Sequence, residues 1–191
     1  MNAPDEAVTW RLALAGDGGA FGLIFDAHSG RVYRHARRLT NGVHDAEDVL
    51  GAAFLELWRR REDVRVVDGS VLPWLLVTTN NLALNQGRSL RRHRAFLARL
   101  PRQEPQSHAA ETDALLRADL DINPGLLSEI RALARVDQQL LALVALEDFS
   151  LRAAAETLGV SEQAARSRWQ RIRRRLAQND YEDTLARPVQ H

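Results

Sequence analysis

The chain has 191 residues, 45% of them hydrophobic, and a formal net charge of +1. That is enough apolar material for a core and too much for wholesale disorder, and the lack of cysteine excludes disulfides and thiolate metal sites. Met1 to Thr9 lacks the basic start and apolar run of a secretory leader. The longest apolar runs fall well short of the about 20 residues a membrane span needs, so a soluble cytoplasmic protein is expected.

Apolar residues recur at three- and four-residue steps almost throughout, which predicts an all-α fold. A first helix is expected over about Ala7 to Ala15, broken by Gly16-Asp17-Gly18-Gly19. A second starts near Ala20 with Phe21, Ile24, Phe25 and His28, and another carries Val32, Ala36 and Leu39 up to the stop at Thr40-Asn41-Gly42. Asp45 is expected to be the N-cap of the next helix, with Glu47 and Asp48 in its first turn, where acids suit the helix dipole. Val49, Leu50, Ala53, Phe54, Leu57 and Trp58 form the apolar side of that helix. Arg65 to Ser70 reads as a loop, and Pro73 sits early in the following helix, where a missing N–H costs little.

Charge is segregated. All 26 basic residues are arginine. Coding in a GC-rich genome explains that as well as function does, so position along the chain must decide. Seven acids fall between Asp45 and Asp68. Val71 to Gln103 has no acid but carries Arg88, Arg91, Arg92, Arg94, Arg99 and Arg102. Pro101 to Thr112 is the best linker candidate, extending to about Pro124. The expected organisation is two small helical domains, 1–100 and 125–178, with a flexible linker over 101–124 and a short tail over 179–191.

Near the end, Leu151, Ala154, Ala155 and Leu158 follow i, i+3, i+4, i+7, and Gly159-Val160 forms a turn. Ser161 is placed to cap a final helix extending to Gln178 that holds six arginines and one acid. A helix, a short glycine turn and a capped basic helix fit a helix-turn-helix. At roughly 100° per residue, Ala165, Trp169, Ile172 and Leu176 share one face, while Gln163, Ser167, Gln170 and Arg174 point away, flanked by Arg166 and Arg171. Arginine binds guanine bidentately and glutamine binds adenine, each good pair giving about 1–3 kcal/mol of discrimination. Gln163, Arg166, Ser167, Gln170 and Arg171 are therefore the candidate base-contacting residues, and Arg173, Arg174 and Arg175 are expected to meet phosphate or solvent. A solvated basic helix of an ordinary bundle is the plainer alternative.

These motifs resemble the extracytoplasmic-function (ECF) group of sigma-70 family factors. Asp137-Gln138-Gln139-Leu140-Leu141, Leu146-Glu147-Asp148-Phe149-Ser150, Ala154-Ala155-Glu156-Thr157-Leu158-Gly159-Val160-Ser161 and Arg166-Ser167-Arg168 are similar to its region 4, as is Arg171-Ile172-Arg173-Arg174-Arg175-Leu176. Gly16 to Phe21, Val32 to Leu39, Asp45-Ala46-Glu47-Asp48-Val49 with Phe54-Leu55 and Trp58, Pro73-Trp74-Leu75-Leu76 and Asn81-Leu82-Ala83-Leu84 resemble region 2 in the family's order. Gly51-Ala52 stand where relatives often carry glutamine and glutamate, which removes polar contacts. Gly51 also weakens the helix by about 0.5–1 kcal/mol relative to alanine.

The resemblance implies an alternative sigma factor without catalytic chemistry or cofactor, directing RNA polymerase core to promoters. It assigns Gln163, Arg166, Ser167, Gln170, Arg171 and Arg174 to the −35 element. Thr78, Asn81, Asn85, Arg88 and Arg92, which share one side if their helix runs through Gly87, go with the preceding loop to the −10 element. Asp45, Glu47, Asp48 and Trp58 are assigned to the core β′ subunit, their acids suiting a basic helical partner. Expected partners are core polymerase (β and β′) and promoter DNA, with an anti-sigma factor as a further candidate and no membrane. Capping and dipole compensation are the competing roles for the acids. A metal site on His44, Glu47 and Asp48 is disfavoured, and no metal is expected. Trp74, Leu75 and Leu76 are expected in the core. Asn81 has a second possible role, holding the loop by hydrogen bonds. A stand-alone helix-turn-helix regulator is the alternative function, but it leaves Asp45 to Trp58 unexplained. An enzyme with a basic nucleic-acid site lacks a His-Glu-x-x-His motif, a phosphate-binding glycine loop and cysteine.

Overall fold

The computed structural model describes residues 5–40, 42–97 and 124–186, with 87–97, 178–186 and residues 124, 125, 127 and 131 given as backbone only. Its regular structure is helical, apart from a single antiparallel bridge between Val67 and Ser70. The chain divides into two compact units, Met1–Asp119 and Leu120–His191. Most of the expected linker lies outside the described residues. Its last residue, Pro124, instead opens a helix, as the fixed φ of proline favours at a first helical position.

In the first unit, α1 (Glu6–Leu14) starts at Asp5, whose carboxylate accepts from the Ala7 N–H. It ends in a Schellman motif: Asp17 N donates to Leu12 O and Gly16 N to Ala13 O, with Gly16 at φ +94°. The glycine run is only partly a break. Asp17 accepts from Gly19 N and Ala20 N at 2.8 and 3.1 Å, so α2 begins at Gly18. The two helices expected between Ala20 and Leu39 are one, α2 (Gly18–Leu39). Ala20, Ile24, His28, Val32, His35 and Ala36 form its continuous buried stripe, and that packing outweighs the roughly 1 kcal/mol that Gly30 costs inside a helix.

The expectation for Asp45 is corrected. α3 (Val43–Arg59) begins three residues earlier, and its N-cap is Gly42, with no side-chain cap. Asp45 lies inside the first turn and spends its carboxylate elsewhere, accepting from Gln86 Nε2 at 2.8 Å. The helix phase is set by its apolar side, Ala46, Val49, Ala53, Phe54 and Leu57, all buried. After a 3-10 turn at Arg61–Asp63 and the 64–71 segment comes α4 (Leu72–Leu97), which Gly87 does not interrupt. Leu72, Leu75, Leu76, Thr79, Asn80 and Ala83 are its buried side; Trp74 is half-buried at its edge. Ala36, Ala46, Val49 and Ala83 bring α2, α3 and α4 together, with Tyr33, Leu39 and Leu82 packed around them.

The second unit holds α5 (Pro124–Ala132), α6 (Arg135–Leu141), a π-helical turn at Ala142–Leu146, α7 (Leu151–Leu158) and α8 (Glu162–Ala186). α8 runs past the expected end at Gln178 into the expected tail. Ser150 caps α7 by accepting from Ala153 N, and a second Schellman motif closes it, Val160 N to Ala155 O and Gly159 N to Glu156 O. Ala153, Ala154, Ala155, Leu140, Leu143, Ala165 and Ile172 are the core residues. Gly159 sits at φ +66° with nothing within 4 Å of an added Cβ, so only its backbone demands glycine. Gly159→Ala should destabilise the second unit by about 1 kcal/mol, read as a lower thermal midpoint of a 120–191 fragment if that unit folds alone, or of the full chain otherwise.

Candidate nucleic-acid interface and docking helix

α8 is oriented from its start and from one side. Ser161 Oγ accepts from Ala164 N at 3.2 Å, and Ala165 and Ile172 are buried, with Trp169 and Leu176 half-buried on the same face. Gln163, Arg166, Ser167, Gln170, Arg171 and Arg174 are all exposed, as the helical phase predicts. A shallow recess lined by Gln170, Arg173, Arg174 and Ala177 lies on that side.

The arginines of α8 are not equivalent. Arg168 Nη1 is 2.9 Å from Asp137 Oδ1 on α6 in a half-buried pair. Arg175 Nε is 2.6 Å from Glu129 Oε2 on α5, so this residue, expected to meet phosphate or solvent, helps hold the helix to its neighbour. Arg166 Nη2 is 2.6 Å from Glu162 Oε1, one turn back and well exposed. Such an exposed pair is worth about 0.2–1 kcal/mol and can be exchanged for a phosphate or a base edge.

On α4, Thr78 and Asn81 are half-buried, Asn85 is exposed, and Asn81 has a polar partner within the fold. The side chains of Arg88 and Arg92 lie outside the described residues. The helix itself is unbroken, so the five positions follow one side of it. The segment before α4, expected as a loop, is a tight turn. Val67 and Ser70 exchange both backbone hydrogen bonds at 3.0 Å, with Asp68 at φ +51° and Gly69 at φ +78°. An Asp-Gly pair with two positive φ angles makes a type I′ turn. Val67 and Val71 are buried on either side of it, and the Asp68-Gly69 tip is exposed.

That turn is tied to α1. Glu6 Oε1 accepts from His28 Nε2 at 2.9 Å, Ser70 Oγ at 3.0 Å and Val71 N at 2.8 Å, the first with the His28 Nε2 proton in place. Burial pushes the Glu6 pKa up, but the hydrogen bonds from His28, Val71 and Ser70 and the attraction of His28 outweigh it and hold the carboxyl below its usual range.

On α3, Glu47 and Asp48 are exposed and Asp45 is half-buried against Gln86. Exposed His44 is 3.4 Å from Glu47. Among the described residues no three His, Asp or Glu are grouped to hold a metal, and no helix is long and apolar enough to cross a membrane. Trp58 is half-buried: its ring meets Phe21 edge-on at 5.0 Å, and the Arg61 guanidinium lies 4.5 Å from the ring centre. Beside it is an open apolar groove lined by Gly18, Phe21, Phe54, Leu55 and Trp58. Leu55 is 50% exposed and Phe25, stacked at a tilt on Phe54 at 4.7 Å, is 38% exposed. Sequence reasoning missed Phe25 and Leu55 as surface residues. For Leu55 the signal was present, because it falls outside the 46-49-53-57 stripe.

Comparison with known proteins follows the same two units. The Sigma-70 region 2 model matches residues 24–94, and the Sigma-70, region 4 model matches residues 125–176. The ECF RNA polymerase sigma factor SigM of Mycobacterium tuberculosis is 30% identical over 167 residues, 86% of this chain and 79% of SigM. The chain belongs to the ECF group of the sigma-70 family. The ECF RNA polymerase sigma factor SigE of Mycolicibacterium smegmatis is 32% identical over 78% of this chain and 57% of its own length. The probable RNA polymerase sigma factor RfaY of Xanthomonas campestris pv. campestris is 32% identical over 84% of this chain and 40% of its own. The chain thus spans about half the length of these two relatives. Among solved structures, CnrH in complex with the cytosolic domain of CnrY aligns with a TM-score of 0.59 at 21% identity, over 95% of this chain and 99% of the other. The sigma factor RpoE in complex with the anti-sigma factor NepR from Bartonella quintana gives 0.51 at 17%, over 81% and 92%. At those identities the likeness is one of fold.

Arg168 and Arg174 should separate by their surroundings. Arg168→Ala should lower the stability of the second unit by about 1 kcal/mol, since it leaves Asp137 without its partner. Arg174→Ala should leave the melting temperature unchanged. Equal midpoints for the two variants in thermal denaturation would remove the structural role given to Arg168.

Proposed function

We propose that this ECF-family protein is an alternative sigma factor that binds RNA polymerase core and directs promoter-specific initiation. One observation carries the reading: a capped basic helix with an exposed Gln/Arg face shares a chain with a separate unit whose α3 presents exposed Glu47 and Asp48 and, further along the same helix, lines an apolar groove. DNA binding alone accounts for the first feature and not for the second. The proposed division of the chain is 1–100 for region 2, 101–124 for a linker, 125–178 for region 4 and 179–191 for a tail. The factor acts in the cytoplasm, without cofactor and without catalytic chemistry of its own.

In this reading Gln163, Arg166, Ser167, Gln170, Arg171 and Arg174 face the −35 element, the first residues toward base edges and Arg174 toward phosphate. Thr78, Asn81, Asn85, Arg88 and Arg92 face the −10 element together with the 64–71 turn. On α3, Glu47, Asp48 and the Trp58 groove meet the β′ subunit, while Asp45 acts indirectly through its bond to Gln86. Gly51 and Ala52 leave this surface without the polar side chains many relatives carry, so apolar contact at Leu55 and the groove takes a larger share. An anti-sigma factor is a fitting regulator for the same apolar surface.

Run-off transcription with purified core polymerase tests the whole. Arg166→Ala combined with Arg171→Ala removes two base-contacting forks, and should reduce −35-dependent transcripts by about 100-fold or more while core affinity stays within about twofold. A wild-type protein equally active on promoters with and without the −35 element would contradict the assignment. Asp48→Arg should weaken core association by about tenfold at low salt, and the loss should shrink as salt rises. An unchanged affinity would leave Asp48 only its role at the helix N-terminus.

A further inference from the structure

The region 2 match begins at Ile24, so α1 lies ahead of it. Yet α1 supplies Glu6, whose Oε1 receives bonds from α2 and from the two residues that lead into α4. These donors lie 22, 64 and 65 positions away in sequence. Ser70 also satisfies a donor at the start of α4, since its Oγ accepts from Leu72 N at 3.1 Å. A hydroxyl has one proton. With that proton given to Glu6, the lone pairs of Ser70 are left to face Leu72. The Val71 N–H, another donor at the start of α4, is satisfied by the same carboxylate. A charge from a different helix therefore completes the N-terminus of α4, where negative charge is favoured.

The geometry points to Glu6 as a positioning residue for promoter opening: through Ser70 and Val71 it fixes the Val67–Ser70 turn and the first turn of α4 in the form that receives the −10 DNA. This rests on the sigma-factor reading above. The turn is already narrow in its choices. Two positive φ angles, the paired Val67–Ser70 bonds and the buried Val67 and Val71 leave the exposed tip little freedom. Glu6 removes the remaining freedom, that of the turn as a body relative to α1 and α2. A surface ordered before DNA arrives does not pay ordering entropy while base pairs are being broken.

The test uses the full chain with core polymerase. Glu6→Ala, Glu6→Gln and Ser70→Ala are compared with wild type in three measurements: core affinity, permanganate reactivity of unpaired thymines on a duplex promoter, and transcription from the same promoter pre-melted by mismatches. Glu6→Ala should slow opening of the duplex promoter about tenfold, keep core affinity within about twofold, and regain near-wild-type output on the pre-melted template. Glu6→Gln should retain most of the opening, because its carbonyl can still accept from Ser70 and Val71. Ser70→Ala should show the same selective defect in smaller measure, and it serves if Glu6→Ala does not fold. Normal opening by Glu6→Ala despite a lower melting temperature would reduce Glu6 to a stabilising contact and overturn the proposal. An equal defect on duplex and pre-melted templates would also overturn it. If the wild-type protein gives no core-dependent transcript at all, the failure lies in the sigma-factor reading itself.

Discussion

The first unit is organised by a close crossing of α2, α3 and α4 at Ala36, Ala46 and Ala83, with Val49 filling the remaining space. Small side chains there let the backbones approach, and the approach fixes which side of each helix is left over. On α3 the remaining side carries Glu47, Asp48 and Leu55. On α4 it carries Thr78 and Asn85. The same crossing brings Gln86 within hydrogen-bond distance of Asp45, so the acid-bearing turn of α3 is tied to the middle of α4. A larger residue at any of the three alanines would separate the helices and shift both surfaces together, because close-packed interiors do not absorb volume locally.

Much of this was legible in the sequence, for reasons that differ by residue. Ala165, Trp169, Ile172 and Leu176 could be placed on the inner face of α8 because period alone decides the side of an amphipathic helix. Ser161 could be named as its cap because a serine ahead of such a period has few other uses. Of the three residues expected in the core after Pro73, Leu75 and Leu76 are buried, while Trp74 sits half-buried at the edge. Asp45 was misplaced because an acid in a first turn and an acid at a cap carry the same local signature. Its partner, Gln86, lies 41 positions on, beyond any local pattern. Glycine was overread as punctuation at Gly18 and Gly19, where a cap from Asp17 starts the helix, and the separate helices expected around Ile24 and Val32 are one because a long buried stripe runs through both.

The tie centred on Glu6 was wholly hidden. Its three donors come from His28, Ser70 and Val71, and nothing in the spacing of Glu6 marks it apart from another acid in a first helical turn. The turn at Asp68-Gly69 carried a visible hairpin signal, but without flanking strands it read as a plain loop. Contacts between distant segments are set by the packing of whole helices, so they become readable only after those helices have been placed.

Arginine bias was the least informative feature, and the second unit shows why. Arg168 and Arg175 face acids on α6 and α5, while Arg166, Arg171 and Arg174 are exposed on the far side. In the first unit Arg61 lies over the Trp58 ring and donates to the Trp58 carbonyl, a double use suited to a planar guanidinium with five donors. A count of arginines therefore mixes packing with recognition. What separates them is the position of the acids. Asp137 and Glu129 stand where α8 must be held, and on its exposed face the described acid is Glu162, beside Arg166. That pair is weak enough to open and short enough to hold Arg166 in one place meanwhile. A fork kept partly ordered by a carboxylate can be handed to a phosphate or a guanine edge with less entropy to lose than one left swinging in solvent.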